Sequence, residues 1–449
     1  MKPTLAVLTL AVLPAWAATV TNHPSGWPGG PLSLADALNI ALHQNADVLK
    51  ARHDLEAATG QAIQTRALVL PKLRASSTYA AREDAGVEQF PVPGLPIRIP
   101  SESWSAGVRL VQSVYEGGRM TSALRTARLT EQQARAAYDT VVADTVAAVR
   151  IAYADVVLAA ELISVQQASV RLLETELQDT QRRFDAGTVP RFNVLRAEVE
   201  LANARPRLIR AQNSFRIAKQ RLALLLGLNV PPEASADVPL ELAERLEFAE
   251  YPVELATALR QALERRSELA ARRRAEALQA QTLKQARAGM LPSVQLFAGY
   301  DAHSPSFSDD LGRVVDGWVA GAQLQWELFD GRLTKGRVAE AKARLDRARV
   351  DTQDTVRRIE LEVRTAYSEF MEAREVFQSQ EKVQQQAEEA LRLANARAEA
   401  GTATQLDVLS AQTALTEARS TRVQALRDYV VARARLERAI GLPVEPMTP

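Results

Sequence analysis

The side chains that most often perform chemistry are scarce in this chain. It has 449 residues with no cysteine, so disulfides, thiolate metal ligands and cysteine nucleophiles are excluded. Its four histidines do not follow the spacing of metal ligands, and no phosphate-binding loop or nucleophile–base arrangement is present. We therefore predict that the protein is not an enzyme and has no catalytic, metal-binding or cofactor-binding residues. The histidines are His23, His43, His53 and His303.

The charged residues indicate structural roles instead. The sequence Thr404-Gln405-Leu406-Asp407 fits a capping box, in which a threonine and an acid three positions later close the start of a helix. An acid in the first turn also interacts favourably with the helix dipole. The formal net charge is +1, and the arginine clusters at 265–266 and 272–274 fit a solvated helix face. We therefore expect no nucleic-acid partner.

The elements that must position these residues occur twice. The triplet Tyr115-Glu116-Gly117 returns as Phe329-Asp330-Gly331, and Ala186-Gly187-Thr188 returns as Ala400-Gly401-Thr402, both displaced by 214 positions. Upstream the displacement is 221, because the first copy holds seven extra residues in a proline-rich loop. A period this long does not fit a solenoid of short repeats. The sequence predicts one structure made of two similar halves.

Each half contains one predicted β-hairpin, at residues 72–116 and 292–330. Apolar and polar residues alternate along these segments, which is typical of strands with one face against lipid. The loop at 89–96 is rich in proline and is not expected to hold regular structure. We expect the longer loop region, 83–102, to lie outside the cell. Aromatic residues expected on these strands at the membrane interface are Tyr79, Trp104, Tyr300, Trp318 and Trp326.

Two very long helices follow the hairpins, at 119–186 and 332–400. Apolar residues recur every seven positions in both, which is typical of a coiled-coil seam. At 1.5 Å per residue each helix is roughly 100 Å long. Return helices are predicted at 190–227 and 404–440. The turns that lead from strand to helix are expected at Glu116, Gly117, Asp330 and Gly331, and the far tips at Gly187, Thr188, Gly401 and Thr402.

The remaining segments complete the organisation. Residues 1–17 have the basic start, apolar run and Ala-Trp-Ala site of a secretory signal peptide, and no later apolar run is long enough for a transmembrane helix. A helix from Leu34 to Leu70 precedes the first hairpin, and a corresponding helix precedes the second. The predicted layout is a first repeat at 18–228, a linking segment at 229–252 and a second repeat at 253–449.

Four strands per chain cannot close a barrel, and an open sheet edge in lipid leaves backbone groups unsatisfied. The chain must therefore share its sheet with copies of itself. Two copies would give eight strands, whose interior fills with side chains, whereas three would give twelve and leave a lumen. We predict a mainly α fold with a small β part and an internal duplication. In a homotrimer, its coiled-coil helices would form an α-barrel below a shared twelve-stranded transmembrane β-barrel.

This duplicated order of elements resembles the TolC-type outer-membrane efflux proteins. The resemblance covers nearly the whole chain after residue 17 and is most specific at Leu328-Phe329-Asp330-Gly331, Ala400-Gly401-Thr402 and Asp407-Val408-Leu409. It implies an outer-membrane trimer with a long periplasmic extension, acting as the exit duct of a tripartite efflux pump or type I secretion system. The implied partners are a periplasmic membrane-fusion (adaptor) protein, an inner-membrane transporter and outer-membrane lipid.

The resemblance also implies the site residues. Asp407 matches a carboxylate that the family places near the closed periplasmic mouth, where three copies would form an acidic ring, and this role is compatible with helix capping. A second family acid falls at Ser410, the tip arginine at Ala403 and the first-half acid at Asn193, so the gate has fewer charges here. The implied adaptor-docking tips are Gly187, Thr188, Gly401 and Thr402.

An exported, periplasmic coiled-coil adaptor or structural protein without a pore is the alternative. That class explains the seven-residue repeat and the export signal. It does not explain two amphipathic hairpins at matching places in a duplicated sequence. A heat-resistant trimer that needs detergent would favour the channel, and a salt-soluble monomer would favour the adaptor.

Overall fold

The structure, a computed structural model, describes residues 30–83, 89–92, 95–98, 100–229, 238–244, 246–306 and 310–442. The predicted signal peptide lies outside these ranges, as do parts of both hairpin loops and part of the linking segment. No helix in the described ranges is long and apolar enough to cross a membrane.

The two halves repeat one order of elements. The first half contains α1 (Leu34–Gln44), α2 (Ala46–Ala67), β1 (Lys72–Ala81), β2 (Gln89–Val92), β3 (Leu95–Arg98), β4 (Glu102–Glu116), α3 (Arg119–Asp185) and α4 (Arg191–Leu226). The second half contains α5 (Leu255–Arg265), α6 (Ser267–Ala288), β5 (Ser293–His303), β6 (Val315–Gln325), α7 (Leu333–Glu399) and α8 (Gln405–Ile440). The long helices α3 and α7 lie within one residue of their predicted bounds.

Strands from both halves form one antiparallel sheet in the order β1-β4-β5-β6. The register places Leu73 opposite Leu110, Leu110 opposite Ala298, and Ala298 opposite Ala320, so one face is apolar across all four strands. The other face carries Arg109, whose guanidinium lies 3.4 Å from the carboxylate of Asp301 on β5. The predicted alternation of apolar and polar faces is therefore confirmed.

The hairpin loops differ from the prediction in one respect. Strands β2 and β3 pair across residues that were expected to be irregular, and Pro91 lies opposite Pro96 in that pairing. Proline lacks the backbone N–H, but it is tolerated in a two-stranded ribbon where that N–H would point outward. The prediction of an irregular loop at 89–96 was wrong. Part of the loop region 83–102, expected outside the cell, lies outside the described residues.

The interface aromatics are not equivalent. Tyr79 pairs with Trp104 and Tyr300 pairs with Trp318 across neighbouring strands, and Trp318 is 80% exposed. Trp104 is half-buried, and its indole N–H donates to the Leu311 carbonyl at 3.0 Å. The prediction that Trp326 lies on a strand was wrong, because β6 ends at Gln325. The Trp326 indole donates instead to the Met290 carbonyl at 3.2 Å and ties the strand end to the end of α6.

The single helix predicted before the first hairpin is two helices, α1 and α2. Asn45 separates them, because its side-chain oxygen accepts from the N–H groups of Asp47 and Val48 and starts α2. Its amide nitrogen also donates to the Leu225 carbonyl at 2.7 Å, near the end of α4. In the second half Arg266 separates α5 from α6 and donates to the Ala439 carbonyl at 3.2 Å. Each break therefore fastens a short helix to the end of the return helix.

Each half has its own hydrophobic core around its long helix. In the first, Val149 and Val156 of α3 pack with Leu222 and Leu226 of α4 and with residues of α1. The second core joins α7 and α8 with α5 and α6. The seven-residue series on α3 and α7 is buried or half-buried at every member, as the coiled-coil pattern predicts. The largest fully buried side chains of the second core are Tyr429, Phe370, Leu269, Leu436 and Ile440.

We expect Gly227→Ala to destabilise the protein more than Gly401→Ala. Both glycines have positive φ, +74° and +72°, so both substitutions share a cost of about 1–2 kcal/mol for the left-handed conformation. A Cβ at Gly227 would lie only 2.3 Å from the Gln44 carbonyl oxygen, whereas one at Gly401 would meet no atom within 4 Å. Thermal unfolding followed by circular dichroism in detergent should show the larger loss for Gly227→Ala. Equal losses would contradict a tight α1–α4 junction.

Candidate gate and docking site at the helix tips

The two tips have the same backbone geometry. At the first tip Gly187 has φ +76°, the Thr188 N–H donates to the Arg183 carbonyl at 2.9 Å, and the Thr188 hydroxyl donates to it at 2.7 Å. At the second tip the Thr402 N–H and hydroxyl donate to the Arg397 carbonyl at 2.8 and 3.1 Å. Threonine therefore satisfies a carbonyl that the helix end leaves free. All four tip residues are exposed.

The start of α8 is a complete capping box. The Asp407 carboxylate accepts from the N–H and the hydroxyl of Thr404, both at 2.8 Å, and the Thr404 hydroxyl accepts from the Asp407 N–H at 3.3 Å. These bonds from Thr404 hold the pKa of the Asp407 carboxyl below its usual value. The acid is exposed, so it is available both to solvent and to neighbouring copies of the chain.

The structure does not join the two predicted gate residues to each other. Asn193 lies in the first turn of α4, where its N–H donates to the Pro190 carbonyl at 3.0 Å. Among the described residues no hydrogen bond or ion pair links Asn193 to Asp407. Their contribution to a common gate therefore stays a prediction that depends on assembly of several copies.

A polar contact that the sequence analysis missed connects the two halves near the tips. The Gln405 amide donates to the Thr180 hydroxyl at 2.6 Å and lies 3.3 Å from the Glu176 carboxylate, so the first residue of α8 is fastened to α3. Thr180 is buried. The duplication gives no signal for this contact, because the positions equivalent to Gln405 and Thr180 are Arg191 and Ala394.

Further polar contacts lie along the boundary between α3 and α8. Thr416 donates to the Ser169 hydroxyl at 3.3 Å, and Arg427 donates to the Asp155 carboxylate at 2.7 Å. The apolar clusters in the tip-ward parts of the chain instead lie inside one half, between α3 and α4 or between α7, α8 and the linking segment. Each coiled-coil hairpin is therefore held together internally by apolar packing, and side-chain hydrogen bonds and ion pairs contribute to the contact between the two hairpins.

The predicted strand-to-helix turns are also found. Glu116 is the last residue of β4, opposite Ser293, and Gly117 follows with φ +59°. A Cβ at Gly117 would lie 2.8 Å from that of Leu291, so glycine allows the close approach of α6 to this turn. In the second half the Asp330 carboxylate accepts from the Thr334 N–H at 2.7 Å, and Gly331 has φ +64°.

Comparison with known proteins agrees with the two-half organisation. A family model described as "Outer membrane efflux protein" matches residues 37–228 and 258–442, which together contain most of both repeats. The chain belongs to the outer membrane efflux protein family. This membership confirms the predicted family resemblance, the transport class and the outer-membrane location.

The relatives of this outer membrane efflux protein align with different fractions of its sequence. The chain is 24% identical to outer membrane protein TolC of Vibrio cholerae over 413 residues, which are 91% of this chain and 90% of TolC. It is 27% identical to the alkaline protease secretion protein AprF of Pseudomonas aeruginosa over 273 residues, 61% of this chain and 56% of AprF. The chain thus matches little more than half the length of AprF.

A solved structure shows the same fold. The outer membrane channel CmeC of Campylobacter jejuni superposes with a TM-score of 0.77 at 17% identity, over 91% of this chain and 85% of CmeC. The predicted fold class, long helices with a small antiparallel sheet, is confirmed. Within the described residues no group of three histidine, aspartate or glutamate side chains is arranged to hold a metal ion.

We expect the start of α8 to loosen in acid. The folded-state pKa of Asp407 is lowered, so its capping contribution is present above the usual carboxyl pKa of about 3.9 and is lost as the pH falls through the lower folded value. Hydrogen exchange, corrected for intrinsic rates, should show protection of the first turn of α8 falling between pH 5 and pH 2 by our estimate of that window. Asp407→Asn, the control, should show no such fall. An equal fall in both proteins would exclude the carboxylate as its source.

Proposed function

We propose that three copies of this chain form the outer-membrane exit duct of an efflux or secretion system. The duct would work with a periplasmic adaptor protein and an inner-membrane transporter. The observation that carries the proposal is the four-stranded sheet, which has one apolar face and two edges, on β1 and β6, without a partner strand in the described chain. A pore-free coiled-coil adaptor would have no use for such a sheet.

The number of copies follows from the need to close the sheet. Backbone groups on an open edge cannot find partners in lipid, so the edge of one copy must pair with that of another. Eight strands from two copies would leave no continuous lumen, whereas twelve from three would. The polar face, with Arg109 and Asp301, would then line the pore, and the apolar face would contact lipid.

The direction of the helices supports a periplasmic extension. All four strands join their helices at the same end of the sheet, and both tips lie at the far end of helices about 100 Å long. The hairpin loops lie at the opposite end, where outer-membrane barrels present their loops to the outside. The tips around Gly187 and Gly401 would therefore face the inner membrane and the adaptor.

Both kinds of transport occur among the relatives. TtgC of Pseudomonas putida is described as a probable efflux pump outer membrane protein, and AprF as an alkaline protease secretion protein. The common physical task is a continuous water-filled passage, whose cargo is selected by the transporter that delivers it.

The closed state of this duct would be held at the polar seam between the halves. Separation of α3 from α8 near the tips would break hydrogen bonds that water can replace. Gln405 and Thr180 would act as a latch there, and three copies of Asp407 would add an acidic ring at the mouth.

We expect Gln405→Ala to increase ion conductance of the trimer in planar bilayers, severalfold over the wild type. The substitution removes the donor to Thr180 while leaving the α8 capping box intact. Gln384→Ala is the control, because that glutamine bonds only within α7, to Glu388. Wild-type conductance in both variants would exclude the latch. Failure of the wild-type protein to form trimers or any conducting pore would instead exclude the proposed duct.

We expect Gly401→Val to reach the membrane as a trimer but to lose transport. The β-branched residue costs about 1–2 kcal/mol at this left-handed position, which a long coiled coil tolerates. A Cβ at this position would meet no atom of its own chain within 4 Å, so we expect the added side chain to face the proposed adaptor. Crosslinking to the adaptor and export by intact cells should both fall. Unchanged crosslinking and export would reduce the tips to ordinary helix ends.

A further inference from the structure

The helices of one protomer form a layer with two open sides. α3 packs against α2 and α4 on one side and against α6 and α8 on the other, and α7 packs against α6 and α8. α4 therefore lies at one side of the tip-ward layer and α7 at the other. Along its length away from the α1 junction, each presents an outward face that no described element covers.

Both outward faces carry exposed apolar residues at helical spacing. On α4 most of their separations are close to a whole number of helical turns, and Phe192 and Leu224 near the two ends are 66% and 76% exposed. On α7 Leu361 is 66% exposed. Such stripes are typical of helices that pack against a further helix. The α4 stripe contains Phe192, Leu195, Val199, Ile209, Ile217 and Leu224, and the α7 stripe contains Leu361, Val376, Val383 and Leu393.

The open sides of the helix layer coincide with the open edges of the sheet. α2, which lies on the same side as α4, leads directly into edge strand β1, and edge strand β6 leads into α7. Pairing β6 of one copy with β1 of the next therefore brings α7 of the first copy to the α2–α4 side of the second. A second copy of this chain is thus the occupant that the sheet already requires.

The charges of the two faces are complementary. α4 contains eight basic and two acidic side chains, whereas the segment 360–399 of α7 contains nine acidic and five basic ones. Arg210 and Arg221 share a helix face with Phe192, because they follow it by close to five and eight helical turns. Glu372 lies about three turns after Leu361, and Glu375 about four. Within the described chain none of these four charged residues has an ion pair, and all are exposed.

We propose that α4 of one copy packs antiparallel against α7 of the next, with Arg210 and Arg221 beside Glu372 and Glu375. The inference rests on the proposed trimer and adds the residues that define its helical interface. The charged residues of the two helices lie at similar distances from the tips. The arginines lie roughly 30 and 45 Å from the tip end of α4, and the glutamates lie roughly 40 Å from the tip end of α7. The apolar stripes supply the buried area, and the charges select the partner face and its register.

A cysteine pair tests the contact directly, because the natural chain contains no cysteine. Ile217→Cys and Val376→Cys place one thiol on each stripe at matching levels. Mild oxidation of the double variant in the membrane should give covalent dimers and trimers on a non-reducing gel. Each single variant should give none, since α4 does not meet α4 and α7 does not meet α7. A double variant that remains uncrosslinked in an intact trimer, or that crosslinks only to another protein, would overturn the inference.

Charge reversal tests the selectivity of the interface. Arg210→Glu with Arg221→Glu should lower the trimer fraction in detergent at low salt, with apparent association weakened about tenfold or more by facing like charges. Adding Glu372→Arg and Glu375→Arg to the same chain should restore it. Arg272→Glu with Arg273→Glu, on the exposed face of α6, is the matched control and should have no effect.

The outcomes separate this inference from the proposed function. Helix content by circular dichroism identifies a variant that fails to fold, and rescue by the fourfold variant excludes that explanation. A trimer that persists unchanged after reversal in α4, or a fourfold variant that does not recover, would overturn the α4–α7 interface alone. A wild-type protein that is monomeric in detergent and membrane would overturn the proposed duct itself.

Discussion

Everything in this molecule depends on where the backbone hydrogen bonds of a four-stranded sheet can find partners. Two rows of N–H and C=O groups, along β1 and β6, have none within the described chain. In water, the backbone groups on such edges would form hydrogen bonds with solvent. In lipid, leaving them without partners costs enough free energy to require assembly with other copies. The apolar face formed by Leu73, Leu110, Ala298 and Ala320 favours contact of the sheet with lipid. In lipid, the open edges of the sheet then require partner strands from other copies of the chain.

The second constraint is how two halves of one chain are held together. Each half builds its own apolar core around one long helix, and side-chain hydrogen bonds and ion pairs lie along the boundary between α3 and α8. Apolar packing favours one tight arrangement, whereas polar contacts exchange readily with water and can be broken and remade. The apolar cores therefore hold each coiled-coil hairpin together independently of the polar contacts between the hairpins. Apolar packing within each half combined with polar contacts between the halves suits a channel that must both close and open its passage.

Much of the fold could be predicted because long periodic patterns are strong signals. The seven-residue series and the repeated Ala-Gly-Thr triplets fixed α3, α7 and their tips to within a residue. The breaks at Asn45 and Arg266 could not be read in the same way, since a single residue interrupts a continuing apolar pattern and the deciding bonds come from distant carbonyls. The pairing of β2 with β3 and the contact of Gln405 with Thr180 have the same origin. Each is a tertiary contact between residues whose local sequence favours another structure or none.

The contacts at Arg266 differ from those at the equivalent position in the first half. Its position corresponds to Asn45, yet its guanidinium also donates to Glu362 at 2.8 Å and Glu268 at 3.0 Å, and Arg438 joins both acids to Asp144 of the first half. Burial alone would raise the pKa of Glu268, but Arg266 and Arg438 hold it below its usual value. A chain assembled from two first halves would place asparagine where this guanidinium stands. Since duplication, the halves have therefore become complementary pieces, and neither can substitute for the other in building one subunit.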